Sequence, residues 1–442
     1  MLYWAASYAR PPDVYAPPRS TPSAQMSPTP VRHWTIIALA VLGALPAPVI
    51  RLLWLTDLAQ VDLGNVGQAV VFGLAIASAA TLLTWASEVA ETEISATLAL
   101  IVLALIAVLP EYAVDLYFAW TAPTNPDSAH LAIANMTGAN RLLVGLAWPT
   151  IFLIFFLRTR FRSMPVDRPN ALGIVFLAAA TLYSFSIPIR GHLSLIDTAV
   201  MFSIFGAYLY LASRSPARHV EEFVGPAAAI GALPALTRRL AVIAMFVYAA
   251  AVIFAAAEPF AEGLVATGKE FDINEFILVQ WLAPLASESP EFILAGMLAA
   301  RGRHGSAMTI LIASKVNQWT LLIGSLPLAY AISGGTLSPL DFDSRQAEEV
   351  YLTAAQSLFA IAIFISLSMA FWEALLLAVL FTTQLFFFDT KIRLGYGTFY
   401  LLLALGMFVR DLPFFPNLWQ ATRETASPRP PDDSDPPQRA SP

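Results

Sequence analysis

The chain of 442 residues has no cysteine, which excludes disulfide bonds and thiol chemistry. Its five histidines are scattered, and none forms the His-Glu-x-x-His spacing of a zinc site. Charged residues make up only 13% of the chain, whereas an ordinary soluble domain carries about 25%. Lysine occurs only at Lys269, Lys315 and Lys391. These absences argue against a soluble domain, a disulfide scaffold and a histidine-based metal site.

Apolar sequence, by contrast, is abundant. Hydrophobic residues make up 57% of the chain, and the mean hydropathy is +0.64. The apolar runs reach about 20 residues, which is the length of a membrane-spanning helix and not of the alternating strands of a barrel. The sequence therefore predicts an all-α membrane protein.

Twelve apolar segments are long enough, or nearly so, to cross a bilayer, and because the last two are short the count could be eleven. They lie at 34–55, 63–89, 94–121, 139–158, 170–189, 193–213, 237–266, 273–300, 306–333, 349–369, 371–388 and 394–410. The Pro- and Ser-rich stretches 1–33 and 415–442 are interpreted as a disordered N-terminal arm and a disordered C-terminal tail.

The basic loops predict the orientation. One set of loops carries ten Arg residues, including Arg158 and Arg301, whereas the opposite set carries six basic residues, including Arg51 and Lys269. This bias predicts both termini in the cytoplasm, with 214–236 as a cytoplasmic linker. Scarce lysine with abundant arginine and alanine suggests a bacterial source, and hence the inner membrane.

Two of the apolar segments contain a Pro-Glu pair. Pro110-Glu111 lies within 101–120, and Pro290-Glu291 lies within 276–300. Proline removes a helical hydrogen bond and frees a carbonyl, and a carboxylate at bilayer depth costs about 2.5–3.5 kcal/mol on insertion scales. Membrane proteins keep such pairs where oxygen atoms must face a cation, so the pairs indicate an ion transporter.

The two halves of the chain have the same order of features. Each has an acidic helix, TWASEVAE at 84–91 and AAAEPFAE at 255–262, then its Pro-Glu helix, then a helix with buried polar groups, MTGANRLLVG and ASKVNQWTLLIG. With five spans in each half, the order predicts two inverted-topology repeats at 63–213 and 237–388. The segments at 34–55 and 394–410 would be one extra helix at each end.

At these residues the sequence resembles the cation/calcium exchanger superfamily, whose repeats carry a Ser/Thr-x-Pro-Glu element and a Gly-Ser-Asn-rich helix. The best match is Ser287-Glu288-Ser289-Pro290-Glu291, and the resemblance covers roughly 63–388. It implies a secondary antiporter that exchanges calcium or another cation for sodium or protons by alternating access. No cofactor and no nucleic-acid partner is implied, so the expected partners are small cations and the bilayer; the oligomeric state is left open.

Glu111 and Glu291 are the central candidate ligands, because calcium is bound by flexible sets of six to eight oxygen atoms. Without a metal between them, two buried carboxylates would take up protons, so a proton could compete with the metal. Glu288 shares a helix face with Glu291, and Asp115 shares one with Glu111. Ser287 and Ser289 either add hydroxyl ligands or bond back to their own helix.

Asn140 and Asn317 follow the Pro-Glu helices and either line the site or bond between helices. Arg141 and Lys315 depart from the uncharged pattern of the superfamily. Both are expected to face the interior and pair with a site carboxylate, where such a base could occupy the space of a sodium ion. Alternatively, Arg141 lies near the helix mouth and snorkels to the surface. Glu258, which precedes Pro259, is a further candidate charge partner.

Two alternatives remain open from the sequence. The fold could have lost transport and become a membrane sensor or assembly protein, with its carboxylates locked by Arg141 and Lys315. A membrane enzyme is disfavoured, because the sequence shows no nucleophile–base pair or metal-ligand spacing.

Overall fold

The structure, a computed structural model, describes residues 30–59, 61–90, 109–214, 223 and 225–427. The helices of the N-terminal half are α1 (Pro30–Ala44), α2 (Pro46–Leu55), α3 (Gly64–Ala90), α4 (Leu109–Thr121), α5 (Pro126–Leu142), α6 (Trp148–Thr159), α7 (Asn170–Ser184), α8 (Ser186–Arg190) and α9 (Leu195–Ala212). Those of the C-terminal half are α10 (Pro226–Gly231), α11 (Ala235–Glu270), α12 (Glu275–Ala300), α13 (His304–Asn317), α14 (Ile323–Gly334), α15 (Ser344–Ile363), α16 (Phe371–Gln384), α17 (Thr390–Asp411) and α18 (Phe415–Ala426).

Short non-α elements join several of these helices. A π-helical turn connects α5 to α6 (Leu143–Ala147), and another connects α13 to α14 (Gln318–Leu322). Single 3₁₀ turns follow α15 (Phe364–Ser366) and α17 (Leu412–Phe414). Four short strands lie between helices: β1 (Ser163–Pro165), β2 (His192–Leu193), β3 (Leu340–Asp341) and β4 (Ser368–Ala370).

Local sequence explains many of the helix ends. Pro126 and Pro226 occupy the first turns of α5 and α10, where a missing N–H costs nothing. Asp343 caps α15, because its Oδ1 accepts a hydrogen bond of 2.8 Å from the backbone N–H of Gln346. Gly335 ends α14 in the left-handed conformation with φ of 61°.

The protein is an all-α membrane protein, as predicted. Eight helical stretches among the described residues are long and apolar enough to cross a bilayer, and 291–300 and 371–384 are shorter apolar helices. Their outward side chains include Leu52, Leu74 and Phe254, each at least 60% exposed, as a lipid-facing surface requires. The count of twelve spans is not confirmed, and residues 94–108 of the predicted segment 94–121 lie outside the described residues.

The strand pairing shows that the repeats are inverted. β1 and β3 follow the third span of their respective repeats, whereas β2 and β4 follow the fourth. β1 pairs with β4 and β2 with β3, both antiparallel. Consecutive connections in one repeat lie on opposite faces of the membrane. A third connection can therefore pair with the fourth connection of the other repeat only if the two repeats have opposite orientation.

The predicted segment 34–55 corresponds to one apolar stretch, Arg32–Leu55, in which only Leu45 interrupts the helix between α1 and α2. One boundary prediction is wrong. The stretch 415–442 is not disordered throughout, since α18 forms over its first twelve residues and buries Leu418 and Ala421 against the body of the protein. Composition favoured disorder there, but a few apolar side chains at helical spacing suffice for docking. The predicted arm, except for its last four residues, and the end of the tail lie outside the described residues.

Candidate cation-binding site

A carboxyl pair forms the centre of the site, between α4 and α12. Glu111 and Glu288 are 1% and 3% exposed. Neither oxygen of Glu111 has a hydrogen-bond donor among the residues that the structure describes, and the Glu111 carboxyl meets that of Glu288 at hydrogen-bonding distance. Two carboxyl groups can share a hydrogen bond only when one of them is protonated. The pair therefore needs a proton or a bound cation.

The other two predicted carboxylates lie nearby. Glu291 is 9% exposed, hydrogen-bonds to Ser314, and lies within electrostatic range of Glu111. Asp115 is one turn along α4 from Glu111 and accepts a hydrogen bond of 2.9 Å from Asn135 Nδ2. All four acids thus face the protein interior and not the lipid.

These carboxylates do not form a complete metal site by themselves. Among the described residues, no three His, Asp or Glu side chains converge closely enough to hold a metal ion. Calcium takes six to eight oxygen ligands. Amide, backbone and water oxygens would have to supply most of the coordination, and the carboxyl pair would supply the charge.

Sequence reasoning missed several polar groups around the pair. Gln318 Nε2 donates to Glu288 Oε1 at 2.6 Å, and the Tyr112 hydroxyl donates to Asn317 Oδ1 at 3.3 Å. Asn135 and Ser314 hold Asp115 and Glu291, as described above. These residues could have been found from their position in the sequence. Each is a polar residue inside an apolar segment that also carries a predicted ligand, and such residues usually face the protein interior.

The hydroxyls of Ser287 and Ser289 bond back to α12, which is one of the two roles foreseen. Ser287 Oγ donates to the carbonyls of Ala283 at 3.2 Å and Pro284 at 3.3 Å. Ser289 Oγ donates to the carbonyl of Ala286 at 3.1 Å, which is the carbonyl that Pro290 deprives of its helical donor. The break in the helix is therefore partly satisfied by its own serine.

Asn140 and Lys315 contact each other. The Lys315 ammonium, which is fully buried, donates to Asn140 Oδ1 at 2.8 Å and to the Asn140 carbonyl at 3.2 Å. The Asn140 amide oxygen, predicted as a cation ligand, is thus engaged by a lysine.

The prediction that Arg141 pairs with a site carboxylate is wrong. Its guanidinium binds Glu349 on α15, with NH2 2.6 Å from Oε2, and both side chains are fully buried. It also lies 5.0 Å from the ring of Trp281. Arg141 sits on the side of α5 that faces α15, so helical geometry directs it away from Glu111 and towards an acid that the sequence did not single out.

Glu349 belongs to a buried ionic network. Arg393, on the extra helix α17, contacts both Glu348 and Glu349, and Arg345 lies 3.2 Å from Glu349. Three arginines and two glutamates therefore join α5, α15 and α17. Sequence reasoning missed the network because Arg141 and Arg393 lie far from both acids along the chain.

Glu258 is not in the site. It is partly exposed and forms an ion pair with Arg51 on α2. The prediction of Glu258 as a charge partner of the site is wrong, because Arg51 of the N-terminal helix α2 pairs with it.

A wide vestibule lies on one side of the site. The ends of α4, α5, α11 and α12 and the start of α15 enclose a cavity of about 960 Å³. Its lining has more acids than bases, with Asp127, Glu262, Glu275 and Asp343 facing Lys269 and Arg345. Such a mouth attracts cations.

Apolar side chains separate the vestibule from the carboxylates. Phe118 and Leu131 line the vestibule and are 2% and 8% exposed. Asp115 and Asn135 lie one helical turn deeper on the same two helices, and Glu111 lies about 6 Å beyond Asp115. Phe118 and Leu131 therefore lie between the vestibule and the buried acids along these two helices.

The fold and its buried carboxylates define a multi-pass helical membrane protein with a polar centre between two inverted repeats. The family model described as sodium/calcium exchanger protein matches residues 65–214 and 241–388. The chain belongs to this family of ion exchangers, and the resemblance drawn from the Pro-Glu helices is confirmed. A search of curated proteins gave no match.

Solved structures agree with the family. The crystal structure of an H⁺/Ca²⁺ exchanger, CAX, is 40% identical, with a TM-score of 0.81 over 88% of this chain and 99% of that one. A structure of native YfkE is 15% identical, with a TM-score of 0.56 over 85% and 99% of the two chains. The sodium–calcium exchanger NCX_Mj is 17% identical, with a TM-score of 0.50 over 74% and 99%. The last two show the shared fold alone.

Proposed function

We propose that this protein is a secondary antiporter that exchanges calcium for protons at the Glu111–Glu288 pair, with Glu291 as a third charged ligand. The observation that carries the proposal is the contact between two buried carboxyl groups, Glu111 and Glu288. This contact requires a positive species, either a shared proton or a bound cation, between them. A proton or a divalent cation can satisfy the pair, but not both at once. Competition of this kind couples the two ions.

Proton coupling is favoured over sodium coupling by two observations. Asn140, a neutral oxygen ligand expected for a cation, is engaged by Lys315. The relative that is 40% identical is named as an H⁺/Ca²⁺ exchanger. The non-transporting alternative required Arg141 to pair with the site carboxylates. Arg141 pairs with Glu349 instead, so this part of the alternative has no structural support.

Alternating access would move α3 and α11 against the remaining helices. These two helices pack with very close backbones, since a Cβ built on Gly263 would lie 2.7 Å from the backbone nitrogen of Ala69. Close packing of small residues lets two membrane helices move as one unit. The basic-loop bias would place the vestibule on the outer side of a bacterial inner membrane, with both termini in the cytoplasm.

Replacing Glu291 tests the proposal. We expect Glu291→Gln to lower calcium uptake driven by a pH gradient in proteoliposomes by at least about 100-fold, which is the upper range for losing a residue that only supports a metal ligand. The melting temperature should stay near that of the wild type. Glu270→Gln, which changes an exposed carboxylate bonded to Asn65, is the matched control and should be silent. Full uptake by the Glu291 variant would remove this residue from the mechanism.

A further inference from the structure

Asn140 and Lys315 occupy equivalent positions in the two repeats. Asn140 stands three residues before the π-helical turn Leu143–Ala147, and Lys315 stands three residues before the turn Gln318–Leu322. Their side chains meet, with Nζ 2.8 Å from Oδ1. Where the repeat symmetry would place two like residues, one repeat has an amide and the other has an ammonium group.

The surroundings of Lys315 suit a cation. Two oxygens of Asn140 accept its hydrogen bonds, and the ring of Trp319 lies 4.6 Å from Nζ. Glu111 is within electrostatic range. Carbonyl oxygens, an aromatic face and a carboxylate are groups that compensate a desolvated ammonium. The other two lysines of the chain, Lys269 and Lys391, are exposed.

The four acids near this point need compensation. Glu111, Asp115, Glu288 and Glu291 are all buried, and the donors to them from Asn135, Gln318 and Ser314 are neutral. Arg141 is directed elsewhere, to Glu349. Lys315 is thus the basic side chain that the described structure places within range of Glu111.

We propose that Lys315 is a tethered counter-cation of the transport site, which takes the place of a soluble monovalent ion. Its fixed charge would compensate one carboxylate whether or not calcium is bound. The exchanger would then be indifferent to sodium, so Lys315 would determine which coupling ion is used. This inference rests on the proposed function at Glu111 and Glu288.

Neutralising Lys315 tests the inference. We expect wild-type calcium uptake to be equal in sodium chloride and in N-methyl-D-glucamine chloride. Lys315→Gln should instead require sodium, with uptake about tenfold higher in sodium chloride, because the missing charge must come from solution. A second readout is the melting temperature without calcium, which should rise with sodium for this variant by mass action and stay constant for the wild type. Lys391→Gln is the matched control, at an exposed lysine that does not line the vestibule.

The outcomes separate the inference from the proposed function. Uptake by Lys315→Gln that is indifferent to sodium overturns the inference and leaves the antiporter intact. Absence of uptake by the wild type in either salt overturns the antiporter. If Lys315→Gln does not fold in either salt, Lys315→Met is used, since an apolar side chain of similar length removes the charge without an unpaired polar group. The wild-type melting temperature needs no variant, and a rise with sodium would also overturn the inference.

Discussion

Glu349→Gln is expected to destabilise the protein by about 3–5 kcal/mol, the range measured when one partner of a buried ion pair is removed. The change leaves the guanidinium of Arg141 fully buried without its acid. Its other contacts are a hydrogen bond of 3.4 Å to the carbonyl of Thr137 and the face of Trp281. The free energy of unfolding, measured by titration with sodium dodecyl sulfate in mixed micelles, should show the loss.

A double variant shows whether the unpaired charge is the cause. Arg141→Met combined with Glu349→Gln should recover much of the loss, because Arg393 keeps Glu348 as its partner. The surface control is Glu424→Gln, whose carboxylate pairs with Arg168 at 2.9 Å where both side chains are about half exposed. It should cost less than about 1 kcal/mol. Equal effects of Glu349→Gln and Glu424→Gln would contradict the role given to the buried network.

Gly138→Ala is expected to disrupt the contact between α5 and α12. A Cβ built on Gly138 would lie 1.8 Å from the carbonyl oxygen of Gln280. Pro284, four residues after Gln280, has no N–H to donate to that carbonyl, so the oxygen projects towards Gly138. Because backbone atoms block the new methyl group, the helices must separate. The cost should reach or exceed the upper end of the usual overpacking range of about 1–3 kcal/mol.

The same substitution at an open glycine provides the control. A Cβ on Gly206, within α9, has no neighbour within 4 Å. Gly206→Ala should be neutral or stabilise the protein by about 0.5–1 kcal/mol, as expected in a helix interior. Both variants are compared by melting temperature in detergent. A Gly138→Ala protein as stable as Gly206→Ala would show that α5 and α12 are not in the close contact described.

The sequence was a good guide to the membrane helices and to the carboxylates. Apolar runs and the repeated Pro-Glu pairs depend on local chemistry, since a buried glutamate is costly wherever it lies. The structure buries all four predicted acids, Glu111, Glu288, Glu291 and Asp115. An ionisable residue inside an apolar span faces the protein interior and not the lipid, so the position of these acids in the sequence was enough to predict their burial.

Partner choice was not readable from the sequence. Arg141 is one residue from Asn140, yet a step of one residue turns a helical side chain by about 100°, and its acid lies on α15. The equivalence of Asn140 with Lys315, in place of the Asn140–Asn317 match suggested by residue type, became visible only from the π-helical turns. Such pairings depend on which helices pack together, and residue spacing does not contain that information.

Proton release on calcium binding tests the central claim most directly. Calcium is added to the purified protein in weakly buffered solution, and pH and bound calcium are recorded together. The wild type should release about one proton or more for each calcium ion bound, because the cation replaces the proton between Glu111 and Glu288. The double variant Glu111→Gln/Glu288→Gln should release none. Calcium binding by the wild type without proton release, or unchanged release by the double variant, would contradict the account.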